Sequence, residues 1–484
     1  MLLRRFYDEK LAQASYLIGC AATGEALVVD PNRDAEQYVD AAEREGLRIT
    51  HITETHIHAD FVSGARELAE CTGARLYLSD EGDADWKYAF AAADDAVLLH
   101  DGDRFQVGNV RIDVLHTPGH TPEHLSFVVT DTAGADRPMG VLTGDFVFVG
   151  DVGRPDLLEK AAKFRGTMEA GARTLFHSLQ RFKRELPDFV QLWPGHGAGS
   201  ACGKALGAVP QSTLGYEKLF NWGLATDNEQ EFVRMVLAGQ PEPPMYFAEM
   251  KRINKEGPRV LGGIRRPSRV PEHRLEALLA QKAVVVDTRP AGDFERAHIR
   301  GTLNVPLGRS FSTYAGSVIA YDRDFYLIVD DLCPHCVQEA MRDLALIGLD
   351  RVAGYFGRDG VEAWAARHGV EEETGEIGVA ELAAQLDMGA FHVVDVRNPS
   401  EWEDGRIPGS RNVPLSRLTE RLGELPQDRP LVVHCQSGAR SAVALGVLQA
   451  NGFANALHLR GDFAEWSRAR LPAERGPSPS GVGA

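Results

Sequence analysis

Three groups of residues in this sequence carry chemistry. In the first, His56, His58 and Asp60 stand at alternate positions in THIHADF, directly after an apolar run. His116 and His120 follow in HTPGHT, Asp145 in LTGDF and His196 in WPGHG. Imidazoles and carboxylates at several strand ends suit a first-row metal, because a rigid sheet fixes ligand geometry while loops stay open to substrate. In the second group, VVHCQSGARSAVAL runs a β-branched strand into Cys435, and Ser441 opens an Ala-rich helix. Converging loop amides, the helix N-terminus and Arg440 all stabilise a thiolate there. This is a nucleophile in an anion cradle. The third group is the remaining cysteines. Cys202 lies in PGHGAGSACGK near Lys204, whose charge favours a thiolate able to accept or pass a sulfane sulfur. A small buried thiol is the bland alternative. Cys333-Pro334-His335-Cys336 has a spacing that permits a disulfide at a helix start and with it a thiol–disulfide redox role, zinc binding being a lesser alternative and ordinary reduced thiols the default.

These groups need elements to position them. The first 235 or so residues alternate short apolar runs (ALVVD, RLYLSD, VLTGDFVFVG) with helical stretches such as GARELAECTG. Pro-rich GQPEPPMYF interrupts any helix and opens a Pro/Gly-rich linker over 238–271. Beyond it the chain repeats. VVVDTRPAGDFERAHIRGTLNVPL matches VVDVRNPSEWEDGRIPGSRNVPL, with Asp287 on Asp395, Arg289 on Arg397 and Asn304 on Asn412. Each copy reads as strand, loop, strand, then a loop opening into a helix. The expected division is therefore 1–237, the linker, α/β domains at 272–370 and 371–473, and a disordered tail at 474–484.

Composition limits the partners. With 484 residues, 44% hydrophobic and 25% charged, the chain is globular and long enough for about three cores. Its net charge of −17 disfavours nucleic acid and anionic lipid. No stretch is apolar enough to span a membrane, and the start lacks a secretory apolar core, so a cytoplasmic location is expected.

The first 235 residues resemble the metallo-β-lactamase fold, whose pattern is His-x-His-x-Asp-His followed by later His, Asp and His ligands. An αββα sandwich is the implied architecture. The final His of the first motif is Phe61 here, so one ligand of the usual second metal is missing. Within that superfamily the sequence looks most like the persulfide dioxygenases. That resemblance implies one Fe(II) per chain on His56, His120 and Asp145, with open positions for a sulfur and dioxygen. His58, Asp60 and His196 would then orient the ligands or bind water, the rival reading making His196 the ligand of a residual second metal. Arg154, in GDVGRPD, matches an arginine that in the family helps hold the carboxylate-bearing thiol carrier; a fold salt bridge with Asp151 or Asp156 is the alternative.

The Cys435 loop resembles the rhodanese sulfurtransferases, whose nucleophile begins a six-residue loop: Cys435, Gln436, Ser437, Gly438, Ala439 and Arg440. Related phosphatases use a loop one residue longer. The implied roles are nucleophile for Cys435, a closing positive group for Arg440, and a substrate cradle for Gln436 through Ala439. Aligned back from Gly348 on Gly452, the first copy has Asp331 at the nucleophile position and looks like an inactive rhodanese. The implied protein is an α/β multidomain enzyme with two rhodanese-like domains behind the sandwich.

Together the resemblances imply a sulfide-detoxifying enzyme. A low-molecular-weight persulfide (of glutathione, coenzyme A or similar) reacts with O2 to give sulfite, and Cys435 transfers sulfane sulfur to give thiosulfate. A two-metal thioesterase of the glyoxalase II kind, and a sulfur carrier or sulfide sensor, are the alternatives. The linker leaves room for packing as a homo-oligomer.

Overall fold

The apolar runs of the first half become strands because their β-branched and aromatic residues alternate between two buried faces. A computed structural model describes residues 1–157, 167–240, 242–368, 374–386 and 388–476. Its contacts form two units, Met1–Ile264 with Ala345–Gly348, and Arg265–Leu344 with Leu349–Ala484.

In the first unit, β1 (Leu2–Asp8), β2 (Gln13–Cys20), β3 (Glu25–Val29), β4 (Arg48–Thr53), β5 (Arg75–Ser79) and β6 (Val97–Leu99) make one sheet in that order. A second sheet runs from β7 (Arg104–Val107) through β8 (Val110–His116), β9 (Leu125–Asp131), β10 (Gly140–Gly144) and β11 (Gln191–Pro194) to β12 (Ser212–Thr213). Tyr16, Ile18 and Leu27 of the first sheet share a core with Ile112, Phe127 and Leu142 of the second. Helices cover the outer faces. Tyr38 and Ala42 of helix Glu36–Arg44 join Ile49 and Leu76 on one side. Leu175, Leu179 and Phe182 of helix Met168–Glu185, at helical spacing, join Val141 and Leu192 on the other. This is the αββα sandwich.

The expected linker begins as folded structure. Helix Phe247–Glu256 buries Phe247, Met250 and Asn254, at spacings of three and four residues along one face. Asn254 Nδ2 donates to the carbonyls of His58 at 2.8 Å and Phe61 at 2.7 Å, and its Oδ1 accepts the Ser63 amide at 2.9 Å. Buried Glu67 accepts the amides of Leu261 and Gly263. Gly and Pro marked a chain that lacks long regular structure, but Asn254 and Glu67 tie part of it to the rest of this unit.

The second unit carries the repeat as topology. β13 (Val284–Asp287) lies between β14 (Leu303–Asn304) and β15 (Phe325–Ile328), with β16 (Val352–Phe356) at the edge. Four of the five strands β17 (Glu376–Gly378), β18 (His392–Asp395), β19 (Arg411–Asn412), β20 (Leu431–His434) and β21 (Leu457–Arg460) reproduce that order, and β17 extends it. Asp287 pairs with Asn304 in one sheet as Asp395 pairs with Asn412 in the other. Residues 369–373, at the expected boundary between the copies, lie outside the described residues.

Helix Ala439–Ala450 buries every residue from Ser441 to Leu448. A helix without a polar face must be enclosed, and this one packs on its own sheet and on β14 of the first copy. A Cβ on Gly446 would stand 2.9 Å from the Asn304 amide nitrogen. The expected disordered tail is in part ordered: Arg406 and Glu474 exchange backbone hydrogen bonds, and Arg406 Nη1 donates to the Gly476 carbonyl at 2.7 Å. Residues 477–484 lie outside the described residues. Among the described residues no helix is long and apolar enough to cross a membrane.

Gly446→Val should destabilise the protein by about 2 kcal/mol or more through overpacking against β14. Gly423→Ala, where a Cβ meets open space, should change stability by less than about 0.5 kcal/mol in the same urea titration.

Candidate functional site

The sandwich brings His56, His120 and Asp145 together from three loops. His56 follows β4, His120 lies between β8 and β9, and Asp145 directly follows β10. One ligand atom from each lies within 4.8 Å of the others, and all three residues are buried. His120 Nε2 is 3.5 Å from Asp145 Oδ2, and His56 Nε2 is 4.0 Å from it.

Hydrogen bonds behind the rings fix which nitrogen faces inward. His120 Nδ1 donates to the Arg154 carbonyl at 3.0 Å. Thr55 donates its hydroxyl proton to Asp30 Oδ2, so its oxygen accepts from His56 Nδ1 at 2.9 Å. Both Nε2 lone pairs are thereby presented to the centre. Burial holds both rings below the ordinary imidazole value, His56 far below it with help from neighbouring histidines. Neither Asp145 oxygen accepts a well-formed hydrogen bond, although His196 Nε2 stands 3.4 Å from Oδ1 and the Cys202 thiol lies beside the carboxylate. A buried, unsatisfied carboxylate facing two neutral imidazoles fits a divalent cation.

His58 lies outside this group: its Nε2 is turned to Asp30, and its Nδ1 is buried without a hydrogen-bond partner. Burial opposes its charge, but Asp30, hydrogen-bonded at 3.1 Å, with Glu54 and Asp60, raises it to about 9. His124, which sequence reasoning missed, has its Nε2 on the Asp145 amide at 3.1 Å and its Nδ1 on Thr117 at 2.9 Å, leaving no lone pair free. Glu123 accepts the Ile57 amide at 2.8 Å. Asp30, His124, Glu123 and Asn254 lie outside the HxHxD, PGHT and TGD spacings, and local sequence held no signal for them. His116 turns away, its Nε2 lying 2.8 Å from the Pro122 carbonyl.

Beside this centre a second donor set forms. Atoms of Asp60, His196 and Cys202 lie within 4.8 Å of one another. His196 Nε2 is 3.2 Å from Asp60 Oδ2 and 3.4 Å from Asp145 Oδ1. Phe61 fills the space beside His58, their rings 4.4 Å apart.

Two expectations need correction. Arg154 is wholly buried and locked bidentate onto Asp156 at 2.7 Å for both bonds, with Nη1 on the Ala201 carbonyl. It shapes the site through its carbonyl on His120, and its guanidinium makes the fold salt bridge with Asp156 that was the alternative expectation. Lys204 does not activate Cys202. Its ammonium reaches the Met235 and Ala238 carbonyls and covers the Trp222 ring. Burial, Asp145 and Asp60 push the Cys202 thiol well above its usual value.

The C-terminal centre is built at the end of β20. Cys435 is buried, the Gly438 amide donates to its Sγ at 3.2 Å, and Ser441 Oγ is 3.5 Å from it. Gly438 has φ +103°, which turns that amide inward. Gln436, Ser437 and Ala439 are exposed, so the loop opens to solvent. Arg440 is held by Glu401 at 2.6 and 2.8 Å. Asp462 sits at φ +51°, a strained conformation for a residue with a side chain, and accepts the Cys435 amide at 2.6 Å.

The first copy lacks this loop. Counted from β15, Val329 follows Ile328 where Cys435 follows His434, so the alignment from the helix, which gave Asp331, holds only beyond a longer connection. Asp331 pairs with Arg269 at 3.0 Å. Cys333 and Cys336 form a disulfide, in place of the reduced thiols expected.

Because Arg154 is structural, Arg154→Ala should leave Asp156 buried and unpaired, costing about 3–5 kcal/mol. The expected result is a lowered unfolding midpoint; a well-folded variant with only a raised substrate KM would restore the substrate role.

Comparisons with known proteins agree with this architecture. The metallo-beta-lactamase superfamily pattern matches residues 9–196, and the rhodanese-like domain pattern matches residues 378–469. The crystal structure of a metallo-beta-lactamase from Staphylococcus aureus subsp. aureus COL aligns at 45% identity and a TM-score of 0.67, covering 74% of this chain and 99% of that one. The persulfide dioxygenase ETHE1 of Bos taurus is 28% identical over 201 residues, 40% of this chain and 68% of the relative. The hydroxyacylglutathione hydrolase of Rhodospirillum rubrum is 32% identical over 181 residues, 37% of this chain and 60% of the relative. The chain thus spans less than two thirds of that hydrolase. With its αββα sandwich, its strand-end metal residues and its cysteine loop, the chain belongs to the metallo-β-lactamase superfamily and carries a rhodanese-like domain at its C-terminal end.

Proposed function

We propose that this protein oxidises low-molecular-weight thiol persulfides to sulfite at one Fe(II) held by His56, His120 and Asp145, and forms thiosulfate through Cys435. The observation that carries the reading is the set of two neutral imidazoles and one unsatisfied carboxylate in one buried centre. Two nitrogens and one carboxylate leave coordination positions open, and iron bound there would supply dioxygen activation next to a bound sulfur. The residues of the chain hold the tautomers, exclude water and keep His58 charged behind the centre. A cytoplasmic setting belongs to this reading.

The overall chemistry balances. One persulfide, O2 and water give a thiol, sulfite and two protons. A second persulfide loads Cys435: the thiolate attacks the outer sulfur, the S–S bond breaks, and the departing thiolate takes a proton. Sulfite then attacks the terminal sulfur of the Cys435 persulfide, and thiosulfate leaves with Cys435 restored as thiolate. Placing both activities on one chain raises the effective concentration of each product for the next step. The first copy, without a nucleophile at the loop, is on this reading a non-catalytic relative of the second.

A two-metal hydrolase is the second reading, favoured by the Asp60, His196 and Cys202 cluster beside Asp145. Phe61, in place of an imidazole, opposes it. Two variants separate these readings. His120→Ala should lower oxygen uptake at least about 100-fold, beyond the usual cost of losing an outer partner, and spare thiosulfate:cyanide sulfur transfer. Cys435→Ser should do the reverse, with sulfite accumulating in place of thiosulfate. Absence of uptake with any persulfide, together with thioester hydrolysis by the two-metal form, would overturn the proposal.

A further inference from the structure

The sulfur site of the second copy is not built by that copy alone. Ser441 Oγ, 3.5 Å from Cys435 Sγ, is also 3.0 Å from His458 Nε2 and 2.9 Å from Asp462 Oδ1. His458 Nε2 lies 3.1 Å from Asp462 Oδ2. On the far side of the ring, His458 Nδ1 lies 2.9 Å from Glu295 Oε1. Glu295 belongs to helix Ala291–Arg296 of the first copy, which packs on the helix that follows the Cys435 loop. We propose that Glu295 completes the sulfur-transfer site across the repeat, holding His458 charged and oriented so that it acts through Ser441 on the sulfur of Cys435. This rests on the reading that Cys435 carries the sulfur.

Proton counting gives the reason. Ser441 has one hydroxyl proton and several acceptors around it: Cys435 Sγ, the Gly438 carbonyl at 3.0 Å and Asp462 Oδ1. A charged His458 directs its Nε2 proton to Ser441 and Asp462, while its Nδ1 side faces the Glu295 carboxylate as an ion pair at 2.9 Å rather than as a well-formed hydrogen bond. The Ser441 oxygen then accepts, and its own proton is available to Cys435 Sγ. A neutral His458 with its proton on Nδ1 would present a lone pair at Nε2 and draw the Ser441 proton away from the sulfur. When sulfite removes the terminal sulfur, negative charge returns to Sγ. The Ser441 hydroxyl and the Gly438 amide are the donors placed to receive it.

The surrounding charges agree. Burial opposes protonation of His458, but Asp462 and Glu295 raise it to about 10, so the ring is charged below that pH. On the adjoining strand, Glu376 is register-paired with His458, comes within 4.8 Å of the same cluster, and has Arg460 3.4 Å away. Around Cys435, Arg440 is occupied by Glu401, and Tyr314 of the first copy lies near enough to feel both Arg440 and Cys435. Glu295, Ser441 and His458 are positioning residues, since each acts on substrate sulfur only through Cys435. The role also explains why a copy without a nucleophile packs so closely, at Gly446, on the copy that has one.

The test uses the full chain with Cys435 preloaded with sulfane sulfur, discharged by sulfite in single turnover and followed by intact mass. Wild type should hold its rate until an alkaline fall near pH 10. Glu295→Gln, isosteric and at a partly exposed position, should bring that fall down by about one pH unit, a roughly fivefold lower rate at pH 10, with Glu295→Asp partly restoring it. Ser441→Ala should slow discharge at every pH and abolish the His458-dependent fall. A Glu295→Gln protein with wild-type unfolding midpoint and an unchanged profile would overturn the proposal. If wild type takes up no sulfur at Cys435, the sulfur-transfer reading is what fails. Iodoacetamide alkylation of Cys435 then decides the relay: an altered pH profile in Glu295→Gln supports it, and an identical profile rejects it.

Discussion

A buried carboxylate that accepts no well-formed hydrogen bond is the constraint around which the first unit is organised. Asp145 follows β10 into the core with neither oxygen satisfied, and the groups nearest it are imidazoles turned lone pair first. Such a charge costs several kcal/mol unless a cation or proton meets it. The rest of the unit holds this arrangement in place. Thr55 and the Arg154 carbonyl set the tautomers, Arg154 is anchored in turn by Asp156, and Asn254 ties down the turn that bears His58 and Phe61. Fixed outer partners of this kind decide how well metal ligands are oriented.

The second unit depends on one enclosed helix. Helix Ala439–Ala450 carries no polar face, and its N-terminal turn holds the residues that meet the Cys435 sulfur. Burial from both copies therefore makes the loop rigid, and the exposed Gln436 and Ser437 leave its mouth open. Rigidity below and access above are what a cysteine needs to exchange sulfur with small molecules repeatedly.

Much of this was legible in the sequence because it is local. The HxHxD, PGHT and TGD segments each follow a strand, and the strands deliver them to one end of the sandwich. The repeat was legible too: the residues matched across it pair in the same register in both sheets. Contacts made by folding were not legible. Spacing shows that Arg154 and Asp156 are close, but burial decides that the guanidinium is consumed by that pair. A basic residue two positions from Cys202 suggested activation, yet Lys204 points to other carbonyls. Gly and Pro frequency suggested a free linker where Asn254 and Glu67 satisfy backbone groups far away in sequence. The link from Glu295 to His458 joins residues of different copies, which no local pattern records.

The central claim is that oxygenation and sulfur transfer consume two persulfides per turnover. The most direct measurement supplies anaerobically prepared, iron-loaded protein with glutathione persulfide labelled in its outer sulfur, and compares oxygen consumed with thiosulfate formed. The account predicts one O2 per thiosulfate, with both sulfur atoms of the product labelled. Thiosulfate formed without oxygen uptake, or product labelled in only one sulfur, would contradict it.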